Sequence, residues 1–352
     1  MIDNIKVLVV DDSAFMRKVL SEMLNQHPRI HVVGTARNGE DALKKHITLR
    51  PDVITLDVEM PIMDGLQTLK YIMEKDPCPV VMVSSTTKVG AENTLLAIEY
   101  GAVDFVTKPS GAISLDMDKV RHLIIEKVLQ ASKANIRKPT LFKKEIEQEH
   151  KNRAMEIKKH SEMKKIIAIG TSTGGPRALK DVITNLPPKL PAPVLVVQHM
   201  PPGFTLSLAK RLDSLSEVDV KEAEDGEILK NGTVYIAPGG YHLTVKKIGA
   251  VYAVHTHQEE ARRGHRPSVD VMFESLAYFP EVETIAVIMT GMGADGTEGL
   301  IKLKQSTPNC YAITETEESC TVFGMPRAAI QTKLVDESAH VQLISERILK
   351  RF

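Results

Sequence analysis

At 352 residues, with 43% hydrophobic and 26% charged side chains, the chain is long enough for two cores and too apolar to be disordered throughout. Lys plus Arg and Asp plus Glu balance at 45 each, which excludes a global basic field for nucleic acid. No stretch nears the ~18 apolar residues of a membrane span, so a cytoplasmic protein without membrane insertion is expected.

From the N-terminus, short apolar runs at Lys6–Val10, His31–Ala36, Val53–Leu56, Val80–Val83 and Phe105–Val106 alternate with amphipathic stretches at Phe15–Leu24, Asp41–Leu49 and Leu66–Met73. The alternation predicts a parallel sheet covered by helices. The first run ends in Asp11 and Asp12 and the third in Asp57, so three carboxylates fall at strand ends, where open α/β sheets bind ligands. Clustered carboxylates repel one another, and a hard divalent cation with oxygen ligands, Mg²⁺ foremost, relieves them while holding a phosphoryl group. Asp57 is then the nucleophile that accepts the phosphoryl group. Ser84 after the fourth run and Lys108 after the fifth offer a hydroxyl and an ammonium to phosphoryl oxygens. Taken singly these are ordinary loop residues; their joint placement at strand ends makes the set.

Together, Asp11, Asp12, Asp57, Met60-Pro61-x-Met63-Asp64-Gly65, Ser84 and Lys108-Pro109 resemble the receiver domain of two-component response regulators. The resemblance implies a five-stranded, flavodoxin-like parallel sheet and phosphorylation of Asp57 by a histidine kinase, with Mg²⁺ at Asp11, Asp12 and Asp57. It also implies that Ser84 senses the phosphoryl group, Lys108 pairs with it, and Phe105 is a rotating aromatic.

The stretch from Lys133 to Lys165 carries eleven Lys and Arg against five Glu and few apolar residues. It reads as a solvated, partly helical tether, with a docking segment as the other reading. The expected division is a first domain at 1–125, a charged linker at 126–163 and a second domain at 164–352.

In the second domain, the buried-strand pattern Ile166–Ile169 enters Gly170-Thr171-Ser172-Thr173-Gly174-Gly175-Pro176, with a helical stretch from Arg177. Gly170, Ser172 and Gly174 fit G-x-S-x-G, a turn that can present a serine Oγ or cradle a phosphate; no GxGxxG or Walker lysine supports a nucleotide. The run Val194–Val197 ends at His199, and Ile285–Met289 leads into glycines around Asp295. Ser172 as nucleophile, His199 as base and Asp295 as orienting acid form a triad in an order that differs from α/β-hydrolases. The plain alternatives are a helix cap, a polar strand end and a turn residue. His242, His255, His257 and His265 lack a metal-binding spacing and are read as surface or packing residues. Cys78, Cys310 and Cys320 lack CxxC pairing and are read as buried fillers.

With Gln198-His199-Met200-Pro201, Ala237-Pro238-Gly239 and Thr290-Gly291-Met292-Gly293-Ala294-Asp295-Gly296 added, the whole chain resembles the chemotaxis protein-glutamate methylesterases of the response-regulator class. The resemblance implies a doubly wound, mostly parallel α/β esterase domain and an oxyanion donor at the Met292 backbone N–H. The implied activity is hydrolysis of glutamate methyl esters on chemoreceptor helices, releasing methanol, and deamidation of receptor glutamines. The implied partners are those receptors and a chemotaxis kinase; no cofactor is implied for the esterase, and a monomer is expected. In the family the unphosphorylated receiver covers the esterase cleft. Arg266-Pro267-Ser268-Val269-Asp270 and Phe323-Gly324-Met325-Pro326 also look like the family but are assigned no chemistry. The competing readings are a receiver joined to a catalytically silent docking scaffold, and a transcriptional regulator, which the net acidic second half disfavours.

Overall fold

The computed structural model describes residues 4–85, 87–108, 115–136 and 164–352. Most of the expected linker, and Pro109 of the Lys108-Pro109 pair, lie outside the described residues. The five apolar runs of the first half form β1 (Ile5–Val10), β2 (Ile30–Ala36), β3 (Val53–Asp57), β4 (Val80–Ser84) and β5 (Asp104–Thr107). They pair in parallel in the order β2-β1-β3-β4-β5, the flavodoxin-like arrangement. Every residue of β3 and β4 is buried, as a strand covered on both faces requires.

Between the strands run α1 (Ala14–Asn25), α2 (Gly39–Leu49), α3 (Gly65–Lys75) and α4 (Lys88–Glu99), with α5 (Leu115–Ala131) closing the domain. Ser13, Asn38, Asp64 and Thr87 cap the first four by accepting the backbone N–H three residues on. α5 runs past the expected boundary at 125, because Ile124, Val128 and Ala131 lie one helical turn apart and are all buried in the first core.

The second domain opens with β6 (Lys165–Thr171), α6 (Gly175–Ile183), β7 (Val194–Gln198), α7 (Phe204–Asp213), β8 (Asp219–Glu222) and β9 (Thr233–Ile236). A hairpin, β10 (His242–Ile248) and β11 (Val251–His257), precedes α8 (Val269–Leu276), β12 (Glu283–Ile288), α9 (Thr297–Ser306) and β13 (Tyr311–Glu315). The chain ends through α10 (Met325–Gln331), β14 (Glu337–Ala339) and α11 (Val341–Leu349). The sheet order is β14-β13-β12-β6-β7-β9-β8, with every pair parallel; among the described residues antiparallel pairing between strands is confined to β10 and β11.

Alternate residues of the central strands feed two cores: Ile167, Ile169, Val194, Val196, Ile285 and Val287 point to one face, and Ile166, Ala168, Leu195, Val197, Ala286 and Ile288 to the other. The first of these cores is continuous with one face of the N-terminal sheet, since Leu8, Leu56 and Phe105 belong to the same buried apolar cluster as Ala178 and Leu208. From β6 the chain winds towards β7 and later returns to β12 on the other side, so the crevice for a ligand lies at the carboxyl ends of β6 and β12. Among the described residues no helix is long and apolar enough to cross a membrane.

Candidate functional site

The residues proposed from sequence, Phe105 apart, gather at two strand-end crevices. In the second domain, β6 runs into a turn where Ser172 N–H donates to the Thr290 carbonyl (3.0 Å) and Gly175 N–H to the Ser172 carbonyl (2.8 Å). Gly174 takes the left-handed φ of 78° that the turn requires. It also occupies the cap position of α6, so Ser172 is not the helix cap.

The Ser172 hydroxyl faces His199 Nδ1 at 3.2 Å, and His199 Nε2 meets Asp295 Oδ2 at 2.7 Å. With its proton on Nε2, His199 donates to Asp295 and leaves a lone pair on Nδ1 aimed at the serine. All three side chains are largely withdrawn from water.

Asp295 sits at the N-terminus of α8. Its Oδ1 accepts the Ser268 hydroxyl (2.8 Å) and the Asp270 N–H (3.0 Å), and its Oδ2 accepts the Val269 N–H (2.7 Å). Burial opposes its charge, but the hydrogen bond and charge of His199 and these backbone donors prevail and hold it below the usual carboxylate range. Asp270 is pushed the other way, by its own burial and by the Asp295 charge, although Gly299 N–H donates to it. The segment Arg266 to Asp270, assigned no chemistry from sequence, thus holds the Asp295 carboxylate in place.

The loop after β12 passes directly against the serine: a Cβ on Gly291 would lie 2.8 Å from Ser172 Cβ and 2.3 Å from Met325 Sδ. Gly291 N–H donates to the Val322 carbonyl (3.0 Å), while its own carbonyl accepts Gly324 and Met325 N–H (3.0 and 2.8 Å). Phe323-Gly324-Met325-Pro326 therefore braces the stretch that carries Met292, which is partly exposed at the mouth of the crevice. Thr290 ties the parts together. Its hydroxyl donates to the Thr173 carbonyl (2.9 Å) and accepts Val322 N–H (3.0 Å), and its N–H reaches Glu315 (2.8 Å).

Two further groups were not legible as site residues. Gln198 accepts the Thr171 hydroxyl (2.6 Å) and donates to the Ser172 carbonyl (2.9 Å), locking β6 to β7 beneath the triad. His265, read as surface or packing, stacks on His199 with ring centroids 4.0 Å apart and planes 6° from parallel. The N-cap pattern at Ser268 was a usable signal; nothing in residue spacing announces a ring stack.

In the first domain, Asp11, Asp12 and Asp57 place carboxylate oxygens within 4.8 Å of one another. Lys108 Nζ lies 2.7 Å from Asp57 and 3.0 Å from Asp11. Burial pushes Asp57 up to about 6 against the pull of Lys108, with the Asp11 charge adding to the rise. An all-oxygen set with excess negative charge fits a hard divalent cation. Ser84, at the end of β4, donates to the Gly90 carbonyl at the start of α4 (3.1 Å).

Phe105 is buried and stacks on Phe204 of the second domain, with centroids 4.6 Å apart. The same face carries polar contacts. Asp104 accepts the hydroxyl of Thr173, the residue after Ser172, and pairs with Lys127 of α5; Gln130 Oε1 lies 3.0 Å from that hydroxyl. Glu99 takes Arg211 in a two-pronged contact (2.8 and 3.1 Å) and Lys180 at 3.2 Å. The first domain thus packs on the turn that carries Ser172. Cys78, Cys310 and Cys320 are buried free thiols, as expected.

Comparison with known proteins places these features together. Residues 167–348 match the CheB methylesterase family and residues 7–117 the response regulator receiver domain. A protein-glutamate methylesterase/protein-glutamine glutaminase of Halalkalibacterium halodurans is 60% identical over 99% of this chain and 98% of its own length. The Bacillus subtilis protein of that name is 51% identical over 98% of this chain and 97% of its own. The solved catalytic domain of the Thermotoga maritima CheB methylesterase superimposes with a TM-score of 0.52 at 47% identity, covering 54% of this chain and 99% of that one.

Proposed function

The chain belongs to the CheB methylesterase family, and on that premise we propose that it hydrolyses glutamate methyl esters and deamidates glutamines on chemoreceptors, under control of Asp57 phosphorylation. The observation that carries the reading is the unbroken contact from Ser172 through His199 to Asp295, at 3.2 and 2.7 Å.

In the proposed reaction His199 Nδ1 takes the Ser172 proton as Oγ attacks the ester carbonyl. Asp295, already held ionised, stabilises the imidazolium so formed. The Met292 backbone N–H donates to the developing oxyanion, on a loop that cannot drift because Val322, Gly324 and Met325 pin Gly291. His199 then returns its proton to the leaving methoxide, releasing methanol; with glutamine, ammonia leaves instead. Water, deprotonated by His199, hydrolyses the acyl-enzyme.

Control comes from the first domain. A chemotaxis histidine kinase donates the phosphoryl group to Asp57; Asp11, Asp12 and Asp57 would hold Mg²⁺, which would supply charge neutralisation to the phosphoryl oxygens. Lys108 pairs with the new phosphoryl oxygens, Ser84 exchanges its Gly90 partner for one of them, and Phe105 turns away from Phe204. The packing over the Ser172 turn loosens and the cleft opens to a receptor helix. Such an enzyme works in the cytoplasm, where receptor tails and kinase reside.

Ser172→Ala should abolish methanol release from methylated receptor membranes while leaving Asp57 phosphorylation by acyl phosphate intact. Undiminished release would remove Ser172 from the mechanism.

A further inference from the structure

We propose that His265 is a positioning residue for the hydrolytic reaction: its ring, lying flat on that of His199, fixes the plane in which His199 joins Ser172 to Asp295 and steadies the charge His199 carries between proton transfers. The inference rests on the hydrolase reading above and adds to it a group outside the triad.

His199 is held through both ring nitrogens, but each contact is a single hydrogen bond at the ring's edge. Rotation about the axis through them is opposed only by what lies on the ring's faces. His265 covers one face, 4.0 Å away and 6° from parallel. Its own placement is firm. His265 and Arg262 exchange backbone hydrogen bonds of 2.9 and 3.0 Å around Gly264, whose φ is 84°. Arg262 is anchored to Glu274 and Glu298, and Arg263 to Glu298.

The charge state of His265 suits the role. The charged and titratable groups facing it are His199 and Asp295 of the triad and Lys127 from α5. Burial, with His199 and Lys127 adding to it against Asp295, pushes His265 down to about 4. It therefore stays neutral while His199 gains and loses its proton. A neutral aromatic face within ~6 Å of a cation attracts it, so the stack favours the imidazolium that catalysis creates. The pair never carries two charges at once, which at this separation would drive the rings apart.

The test uses the full chain and a readout independent of the receptor substrate: the rate at which a fluorophosphonate labels Ser172, followed by mass spectrometry from pH 5 to 9. The wild-type rate should rise with pH, since labelling needs a base free to take the Ser172 proton. In His265→Ala the plateau should fall about ten-fold and the position of the rise should change, because His199 has lost the ring that fixes its plane and faces its charge. His265→Phe, which keeps an aromatic face without a titratable group, should recover most of the rate and restore the position of the rise. Thermal unfolding of each variant separates a folding defect from loss of positioning. A folded Ala variant that labels like wild type overturns the proposal, and so does a folded Phe variant as slow and as shifted as Ala. A wild-type Ser172 that never labels, even with acyl phosphate present, overturns the hydrolase reading and this inference with it.

Discussion

Glu99→Gln should raise activity without any change at the active site. Glu99 lies on α4 of the receiver and meets Arg211 at 2.8 and 3.1 Å and Lys180 at 3.2 Å, both on the catalytic domain. The Arg211 hydrogen bonds, with Lys180 adding to them against burial, hold Glu99 below the ordinary carboxylate range, so it is charged at neutral pH. Both cations are about two-fifths exposed, at 37% and 40%, and solvent screening discounts the attraction heavily. A two-pronged Arg contact with a second cation is then worth about 1 kcal/mol, or about a five-fold shift in the balance between covered and open cleft. Gln keeps the shape and removes the charge. Methanol release without phosphodonor should rise about five-fold, while the rate with acyl phosphate should hardly change, because the contact is already absent in the open form. Arg211→Gln should do the same, and the double variant should gain less than the sum of the two. High salt should raise the wild-type basal rate and leave that of the variant nearly flat. A basal rate unchanged in both single variants would refute the claim that this contact holds the cleft shut.

Two further predictions concern buried carboxyl groups. Asp295→Asn should lower kcat by about a thousand-fold or more with little change in KM, because a neutral amide neither holds the required tautomer nor stabilises the imidazolium; steady-state methanol release reads it, and a loss under ten-fold would contradict the assigned role. Glu315 is 1% exposed, accepts the Thr290 N–H, and is pushed up to about 7 by burial. Its folded value thus lies above the unfolded one, so its contribution to stability is full at low pH and is lost as pH rises from roughly 4.5 through 7. Glu315→Gln should remove that slope and stabilise the protein at pH 8 by about 3 kcal/mol, measured by urea unfolding at pH 5 and 8; parallel pH dependence in the two proteins would refute it.

The two crevices were legible because the groups that build them are side chains at the ends of short apolar runs. Asp11, Asp57, Ser172, His199 and Asp295 each follow a strand whose composition marks it as buried, and a parallel sheet then brings those ends together. What was not legible is carried by backbone and by faces. The donors that hold Asp295 ionised include the N–H groups of Val269 and Asp270, which any residue type could supply. The Phe105–Phe204 stack and the Asp104–Thr173 contact join residues far apart in the chain, and no local pattern encodes their meeting. The run of α5 past residue 125 was not legible because charged residues among Ile124, Val128 and Ala131 mask their shared face.

The make-up of the domain interface follows from what it must allow. A lock built only of apolar contacts would be expensive to open, since each buried large side chain returned to water costs about 1.5–3 kcal/mol. A phosphoryl group on Asp57 can bias the two arrangements only by the difference in its interactions with them, typically a few kcal/mol. Here a compact apolar contact around Phe105 and Phe204 is joined by groups that water receives well: Asp104 with Thr173, and Glu99 with Lys180 and Arg211. Opening exchanges those polar contacts for hydration at a cost of only about 1 kcal/mol for a half-exposed ion pair. The geometry also ties the lock to its key. β5 is four residues long, with Asp104 at its start against Thr173 and Lys108 just past its end against Asp57. A strand of ~13 Å thus spans the distance from the Lys108–Asp57 contact to the Asp104–Thr173 contact beside Ser172, so on the proposed control a change in what Lys108 holds has one element to cross before Thr173.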